Sequence, residues 1–373
     1  MHSKNDDFVT KTFCDLVAIP SPSGFERRAS EYVLAYLRDL GVKATFDKSG
    51  KKNDSDAGNL IAEIKGGRPS TLMFVAHVDT VETGEIPISP VIRNGLIKSD
   101  GRTILGVDNK ASVASLLEAT KEILKMKAAD RPSVVLVFSS REESGSMGVK
   151  FLDNIKADHV FILDGEGRPG IFINGTLGYL SFEIRLFGRA AHAAVDPDKG
   201  LNAVKTAGLV ISQLRLGKEE DGSTLNIGRI EGGSKLNIVP EEAVLKGELR
   251  AFTEKAMNRR LKELDRVTKS ACRSTGCRYK IIPNPNGGLA PYDGTRNDRI
   301  MGLCSNAAKA AGLVASFKRL SATTEANIMA AKYKSLLGVC SGGKAPHSKS
   351  ESISVKELQE FKRLIVEIVK SGY

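Results

Sequence analysis

The chain is poor in cysteine and has no C-x-x-C pair: Cys14, Cys272, Cys277, Cys304 and Cys340 are odd in number and scattered. That pattern excludes a disulfide framework and a thiolate metal site, and it points to a reducing, cytoplasmic setting. No apolar stretch approaches the roughly 18 residues of a membrane span, and the polar start Met1 to Asp7 leads into a helical pattern. Neither export nor a membrane partner is expected. Long basic runs and aromatic-basic interleaving are also missing, although 55 Lys+Arg against 44 Asp+Glu leave a net charge of +11. The excess is therefore read as a solvated surface, and nucleic acid is not expected as a partner. Internal repeats and low-complexity tracts are absent too, which argues against a solenoid or a disordered scaffold.

What is present is a clear alternation of local patterns. At 373 residues the chain has room for two domains. Apolar residues at Ala29, Tyr32, Val33, Tyr36, Leu37 and Leu40 recur at helical spacing, with Ser23 as the expected cap and Gly41 as the stop. Short apolar runs follow at Leu60 to Ile64, Leu72 to Ala76, Val134 to Phe138 and Val160 to Leu163, the middle ones dense enough for strands buried on both faces. A helix over about Lys110 to Lys125 lies between two of them, which gives an α/β layer with a largely parallel core. From Leu180 the pattern changes: Leu180, Phe182, Ile184 and Leu186 alternate strictly, and the order strand, helix, strand, strand, helix, strand describes an α+β sandwich. The Pro/Asn/Gly-rich stretch Pro283 to Gly288 reads as the exit linker. The expected division is a catalytic domain over 1–176 and 288–373, with an inserted lid and dimerisation domain over 177–287.

The chemistry sits at the ends of the buried strands, where open α/β sheets bind ligands. The run Leu72 to Ala76 ends in His77-Val78-Asp79, and side chains two apart on a strand share a face, so Asp79 can orient the His77 ring. Asp108 precedes a helix, where an isolated aspartate is most often an N-cap. Glu142 and Glu143 follow the next strand, Asp164 the one after, and His347 comes after Gly342 and Gly343. Two histidines and three acids are thus available as ligands, with two further acids for proton work. Carboxylate oxygens with imidazole nitrogens suit zinc, cobalt or manganese. Two such ions sharing one carboxylate can activate water and polarise an amide carbonyl.

The ordered set of motifs resembles the co-catalytic zinc metallopeptidase family that contains peptidase T, carboxypeptidase G and acetylornithine deacetylase, with peptidase T-like members nearest. The resemblance begins at Ile19-Pro20-Ser21-Pro22-Ser23-Gly24-Phe25-Glu26 and Gly58-Asn59-Leu60, and continues through His77-x-Asp79, Gly106-x-Asp108-x-Lys110 and Glu142-Glu143. In the inserted segment it includes Gly188-Arg189-Ala190-Ala191-His192-Ala193, Gly200-Leu201-Asn202-Ala203, Asn237-Ile238-Val239-Pro240 and Gly247-Glu248-Leu249-Arg250. It implies that Asp108 bridges two divalent ions, zinc first with manganese or cobalt as alternatives. His77 and Asp164 would complete one site, and Glu143 and His347 the other. Glu142 would be the general base, Asp79 would orient His77, and His192 would help stabilise the oxyanion. Asn237 and Arg250 match substrate-contacting positions. The chain departs from the family at Ser321-Ala322-Thr323-Thr324-Glu325-Ala326-Asn327, where relatives carry Gly-Gly-Ser/Thr-Asp-Ala, and it keeps a His347-x-x-x-Glu351 spacing. The resemblance implies an exopeptidase on short peptides, with aminopeptidase or tripeptidase action favoured, and a homodimer. An N-acyl amino acid deacylase, a carboxypeptidase and a catalytically silent peptide- or metal-binding protein remain open.

Overall fold

Short, fully apolar runs set the architecture of the first unit. In the computed structural model, which describes residues 7–82 and 84–372, these runs form the middle of a nine-stranded sheet. Its order is Ala44–Phe46, Leu60–Ile64, Ser133–Ser139, Thr71–His77, His159–Ile162, Leu336–Val339, Ile171–Thr176 and Tyr292–Asp293, with Ser316–Leu320 also pairing to Ile171–Thr176. The central strands are parallel: His77 stands opposite Ser139, Met73 opposite Val160, and Leu337 opposite Phe161. The flanking pairs of Leu60–Ile64 with its two neighbours, and of Leu336–Val339 with Ile171–Thr176, are antiparallel.

A parallel centre must be covered on both faces, which explains why Leu72, Phe74, Val134, Leu136, Phe138 and Phe161 are all fully buried. The cover comes from the helices Asp7–Val17, Val107–Lys125, Asp298–Ala310 and Val355–Ser371, whose Phe13, Leu117, Leu303 and Phe361 join the same core. Phe74 and Phe161 stack across adjacent strands at 5.1 Å between ring centroids.

The second unit comprises Thr176–Asp293 and Ser321–Thr323, interrupting the first, which comprises Met1–Gly175, Gly294–Leu320 and Thr324–Tyr373. It contains a five-stranded sheet in the order Gly217–Lys218, Thr224–Gly232, Glu242–Ala251, Gly178–Phe187, Arg278–Leu289. Phe182, Ile184 and Leu186 turn one face toward Ala207, Val210, Leu264 and Val267, which lie on the helices Ala203–Gln213 and Glu254–Thr275. Both helices start at side-chain caps: Asn202 accepts from the Lys205 N–H at 2.8 Å and Thr253 from that of Ala256 at 3.1 Å.

Two local expectations are corrected. Pro283 to Gly288 is not a linker but part of the strand Arg278–Leu289, whose register shifts between those residues. Because this strand is the edge of its sheet, a proline with no N–H and an irregular ladder are both tolerated. Ser23 does not cap the helix Arg27–Asp39, whose N-cap is Glu26. Its hydroxyl donates to the Asp79 carboxylate, a charged acceptor that makes the stronger bond, and the Arg27 N–H is taken by Asp56 at 2.8 Å.

Candidate metal centre

The parallel strands deliver the candidate ligands to one edge. His77 is the last residue of Thr71–His77, Glu142 and Glu143 follow Ser133–Ser139, Asp164 follows His159–Ile162, and His347 follows Leu336–Val339. Because these strands run the same way, their carboxyl ends lie together. Among the described residues two groups result, each with ligand atoms within 4.8 Å of one another: His77, Asp108 and Asp164, and Asp108, Glu143 and His347. Asp108 belongs to both. Its Oδ1 is 3.1 Å from His77 Nε2 and its Oδ2 is 3.3 Å from His347 Nε2. His347 Nε2 also lies 2.9 Å from Glu143 Oε1. The helix N-cap is Gly106, so Asp108 is a first-turn residue rather than the cap.

Around these ligands the chain builds a support. The buried Asp79 faces His77 Nδ1 with its Oδ1 at 3.3 Å and its carbonyl at 3.1 Å, which holds Nε2 toward Asp108. The same carboxylate accepts the N–H groups of Glu142 and Glu143, at 3.0 and 3.1 Å, and the Ser23 hydroxyl. One aspartate therefore fixes both the histidine ring and the adjacent acid pair. Glu26, fully buried, accepts from the Arg141 N–H at 2.9 Å, the Gly24 N–H at 2.7 Å and the Ser55 hydroxyl at 2.5 Å, and so secures the start of that loop. Asn59 secures its end, donating to the Gly148 carbonyl at 3.0 Å and to Asp47 at 2.7 Å while accepting from the Ser140 N–H at 3.3 Å. A Cβ on Gly148 would come within 2.2 Å of the Ser140 carbonyl oxygen, so only glycine fits there. Lys110 Nζ, buried, donates to the Ile19 carbonyl at 2.6 Å. These roles of Ser23, Glu26, Asn59 and Lys110 are not readable from the motifs that contain them, because the partners are distant in sequence.

The electrostatics show what the pocket wants. Burial raises the Asp164 carboxyl well above the usual range, pushes Glu142 up to about 8, and raises Glu143. Burial also pushes the fully buried Glu325 up to about 7. Burial works to raise Asp108 as well, but hydrogen bonds from His347 and His77 outweigh it and hold that carboxyl low. Among the described residues, the Asp79, Asp108 and Glu143 carboxylates form ion pairs with His77 and His347 and not with lysine or arginine. Buried carboxylates in such excess are costly unless a cation joins them. The donor set, imidazole nitrogen with carboxylate oxygen, fits divalent transition ions. The residues present therefore fit a two-ion centre.

An adjoining cavity of about 340 Å³ is lined by Asp108, Asp164, Gly165, Lys318, Gly342 and Lys344, among others. It offers space for a small substrate beside the ligands. The other sequence candidates lie in the second unit. His192 is exposed, and its Nδ1 accepts from the N–H groups of Ala194 and Val195, both at 3.2 Å. In the neutral ring this leaves the proton on Nε2, making that nitrogen a donor. His192 and Ile238 form a β-bridge, and the Asn237 carbonyl accepts from Ala193 at 2.9 Å, so the His192 and Asn237 segments meet. Arg250 is held by Glu248, at 2.9 and 3.3 Å, over the Tyr179 ring.

A mixed sheet whose carboxyl edge gathers two ligand triads around a shared aspartate is the scaffold of a metallohydrolase. Comparison with known proteins is more specific. Residues 59–171 match the family described as Peptidase family M28, and residues 174–275 match the Peptidase dimerisation domain of M20 peptidases. The uncharacterised protein YqjE of Bacillus subtilis is 30% identical over 372 residues, spanning 99% of both chains. The structure of an aminopeptidase PepT from Bacillus cereus superposes with a TM-score of 0.89 at 28% identity, and that of a tripeptidase from Staphylococcus aureus with 0.86 at 25%, each covering 98% of both chains. The chain belongs to the M20 family of metallopeptidases, in its peptidase T-like group.

Proposed function

We propose that the protein is a two-metal exopeptidase that removes the amino-terminal residue from short peptides such as tripeptides. The observation that carries this reading is the pair of triads sharing Asp108, with Glu142 beside them at the same sheet edge. The likeness to the Bacillus cereus aminopeptidase and the Staphylococcus aureus tripeptidase supports the choice of substrate end.

His77 and Asp164 would hold one ion, Glu143 and His347 the other, and Asp108 both. The ions, zinc first and manganese or cobalt as alternatives, would supply Lewis acidity toward the peptide carbonyl and toward water. Glu142 takes the proton of the attacking water and returns it to the leaving amine. Its position suits that work: the Ser146 hydroxyl donates to Oε1 at 2.9 Å and its own N–H is fixed by Asp79. Burial already raises its proton affinity into the range in which a carboxyl can both accept and release a proton near neutrality. For His192 we propose donation from Nε2 to the oxyanion, and for Asn237 and Arg250 contacts to the peptide, Arg250 through a two-pronged grip on a carboxylate. The dimerisation-domain match supports a homodimer.

The test is turnover by metal-reconstituted protein on matched tripeptides that are free or blocked at either terminus, alongside N-acetyl amino acids. Cleavage that requires a free amino terminus is the expected result. Cleavage that tolerates amino blocking but needs a free carboxyl terminus would make it a carboxypeptidase, and release of the acyl group alone would make it a deacylase. Metal binding without any turnover would leave a silent binding protein.

A further inference from the structure

The start of a helix leaves backbone N–H groups without partners, and an aspartate in or before the first turn ordinarily folds back to accept one of them. The helix Val107–Lys125 begins at Gly106, which has no side chain to offer. Asp108 stands in the first turn, yet its carboxylate does not cap: Oδ1 faces His77 and Oδ2 faces His347. The capping is done from the far end of the chain. Glu351, 1% exposed, accepts the N–H groups of Leu105 at 2.8 Å and Gly106 at 2.6 Å on Oε2, and that of Asp108 at 3.2 Å on Oε1.

Glu351 is itself well anchored. Its N–H donates to the Ser348 carbonyl at 3.0 Å, and Lys344 and Ser352 exchange backbone bonds of 2.8 and 3.1 Å across the loop that carries His347. Strand Ser352–Ser354 pairs with Leu96–Ser99. The same loop packs so tightly on the helix start that a Cβ on Gly343, which has a φ of +85°, would lie 2.6 Å from Val107. One short segment thus presents His347 and, four residues on, the carboxylate that secures Asp108.

We propose that Glu351 is a positioning residue of the metal centre. By accepting the N–H groups of Leu105, Gly106 and Asp108 it keeps the Asp108 carboxylate free to serve both triads, and it ties the Asp108 turn to the His347 loop. This rests on the two-metal reading above. Alanine at 351 leaves three N–H groups without their acceptor, and Asp108 turns back to take one. Glutamine keeps the shape but sets an NH₂ group against at least one of those donors.

The test compares wild type, Glu351→Gln and Glu351→Ala by zinc stoichiometry, by zinc affinity in chelator competition, by the visible spectrum of the cobalt-substituted proteins, and by kcat/KM. Glu351→Ala is expected to weaken zinc binding about 10- to 100-fold, the usual effect of removing a group that orients a ligand. Its cobalt spectrum should change, and Glu351→Gln should fall between it and wild type. Should Glu351→Ala fail to fold, Glu351→Gln decides alone. A folded Glu351→Gln with a lower Tm but wild-type zinc affinity and cobalt spectrum overturns the proposal, because Glu351 would then only hold the fold. A wild type that neither takes up two ions nor turns over peptide overturns the two-metal reading itself, and this proposal with it.

Discussion

The two triads that share Asp108 are built differently. His77, Asp108 and Asp164 come from strand ends and the helix start, and His77 is only 1% exposed. Glu143 and His347 come from loops, His347 is 47% exposed, and its backbone sits at a φ of +59°. The first triad inherits its geometry from the buried sheet. The second depends on hydrogen bonds between segments far apart in sequence, from the Glu143 N–H to Asp79 and from Asn59 to the Gly148 carbonyl, while Glu351 steadies the Asp108 that both triads share. The proposed metal centre would then have one half made with the core and another made by loop closure, and the two halves should fail differently.

Removing what they share should erase the contrast. Asp108→Ala is expected to lose both ions and all measurable turnover, read by metal analysis of the folded protein and by peptide hydrolysis. Retention of one full equivalent of metal would show that one triad stands without Asp108.

The next variant leaves both triads alone. Glu142→Gln removes the base but none of the ligands, so it should bind two ions as wild type does while kcat falls by about 10²- to 10⁴-fold, the usual worth of a general acid-base group. Equal kcat in the two proteins would refute the assignment. A parallel loss of metal would instead place Glu142 among the ligands.

How much of this was legible in the sequence follows the same division. The strand runs Leu72 to Ala76 and Val134 to Phe138 announce a buried parallel sheet, and strand ends are where ligands belong, so His77, the Glu142-Glu143 pair and Asp164 stand out as candidates. The choice of Asp108, Glu143 and His347 as their partners comes from the family resemblance, and the structure gathers His77, Asp108, Asp164, Glu143 and His347 in two groups that share Asp108. The supporting contacts were not legible. Ser23 reads locally as a helix cap, and only the fold shows that Asp79, 56 positions away, is a better acceptor. Likewise nothing near Gly106 reveals that its helix is capped by Glu351, 245 residues on. Pro283 misled because a proline-rich stretch looks like a linker, whereas on an edge strand its missing N–H costs little.

Direct comparison of the halves needs one histidine from each. His77→Ala and His347→Ala should each release one ion, but differently. His77→Ala removes a buried ring between Asp79 and Asp108 and leaves carboxylates facing one another, so it should also lower the Tm, with a stability loss of about 3 to 5 kcal/mol, as for breaking a buried ion pair. His347→Ala lies at the surface and should lower the Tm of the metal-free protein less than His77→Ala does, while weakening one metal site. Isothermal titration with zinc and thermal unfolding with and without chelator separate the two. Equal destabilisation by both variants would break the distinction between a core-made and a loop-made site.

The smallest expected effect is on the pH dependence of the metal-free protein, and its sign follows from the buried acids. Burial pushes Glu142 up to about 8 and Glu325 up to about 7 and holds Asp164 well above its ordinary value, while the hydrogen bond to Asp108 lifts His347 to about 9. In the unfolded chain such carboxyls titrate near 4 and histidine near 6.5. Between those values and the raised ones the folded protein keeps protons that the unfolded chain releases, so stability falls as pH rises from about 5 to about 9. Asp79 and Asp108 are shifted downward, and what they contribute is lost only in acid below this window. Chelated protein should therefore show a Tm that declines from pH 5 to pH 9. Added zinc should restore most stability at the alkaline end, where it displaces the fewest protons from its ligands. A Tm of the metal-free protein that rises across that range would mean the acids are paired with cations of the chain itself, and the case for a two-ion centre would lose its electrostatic support.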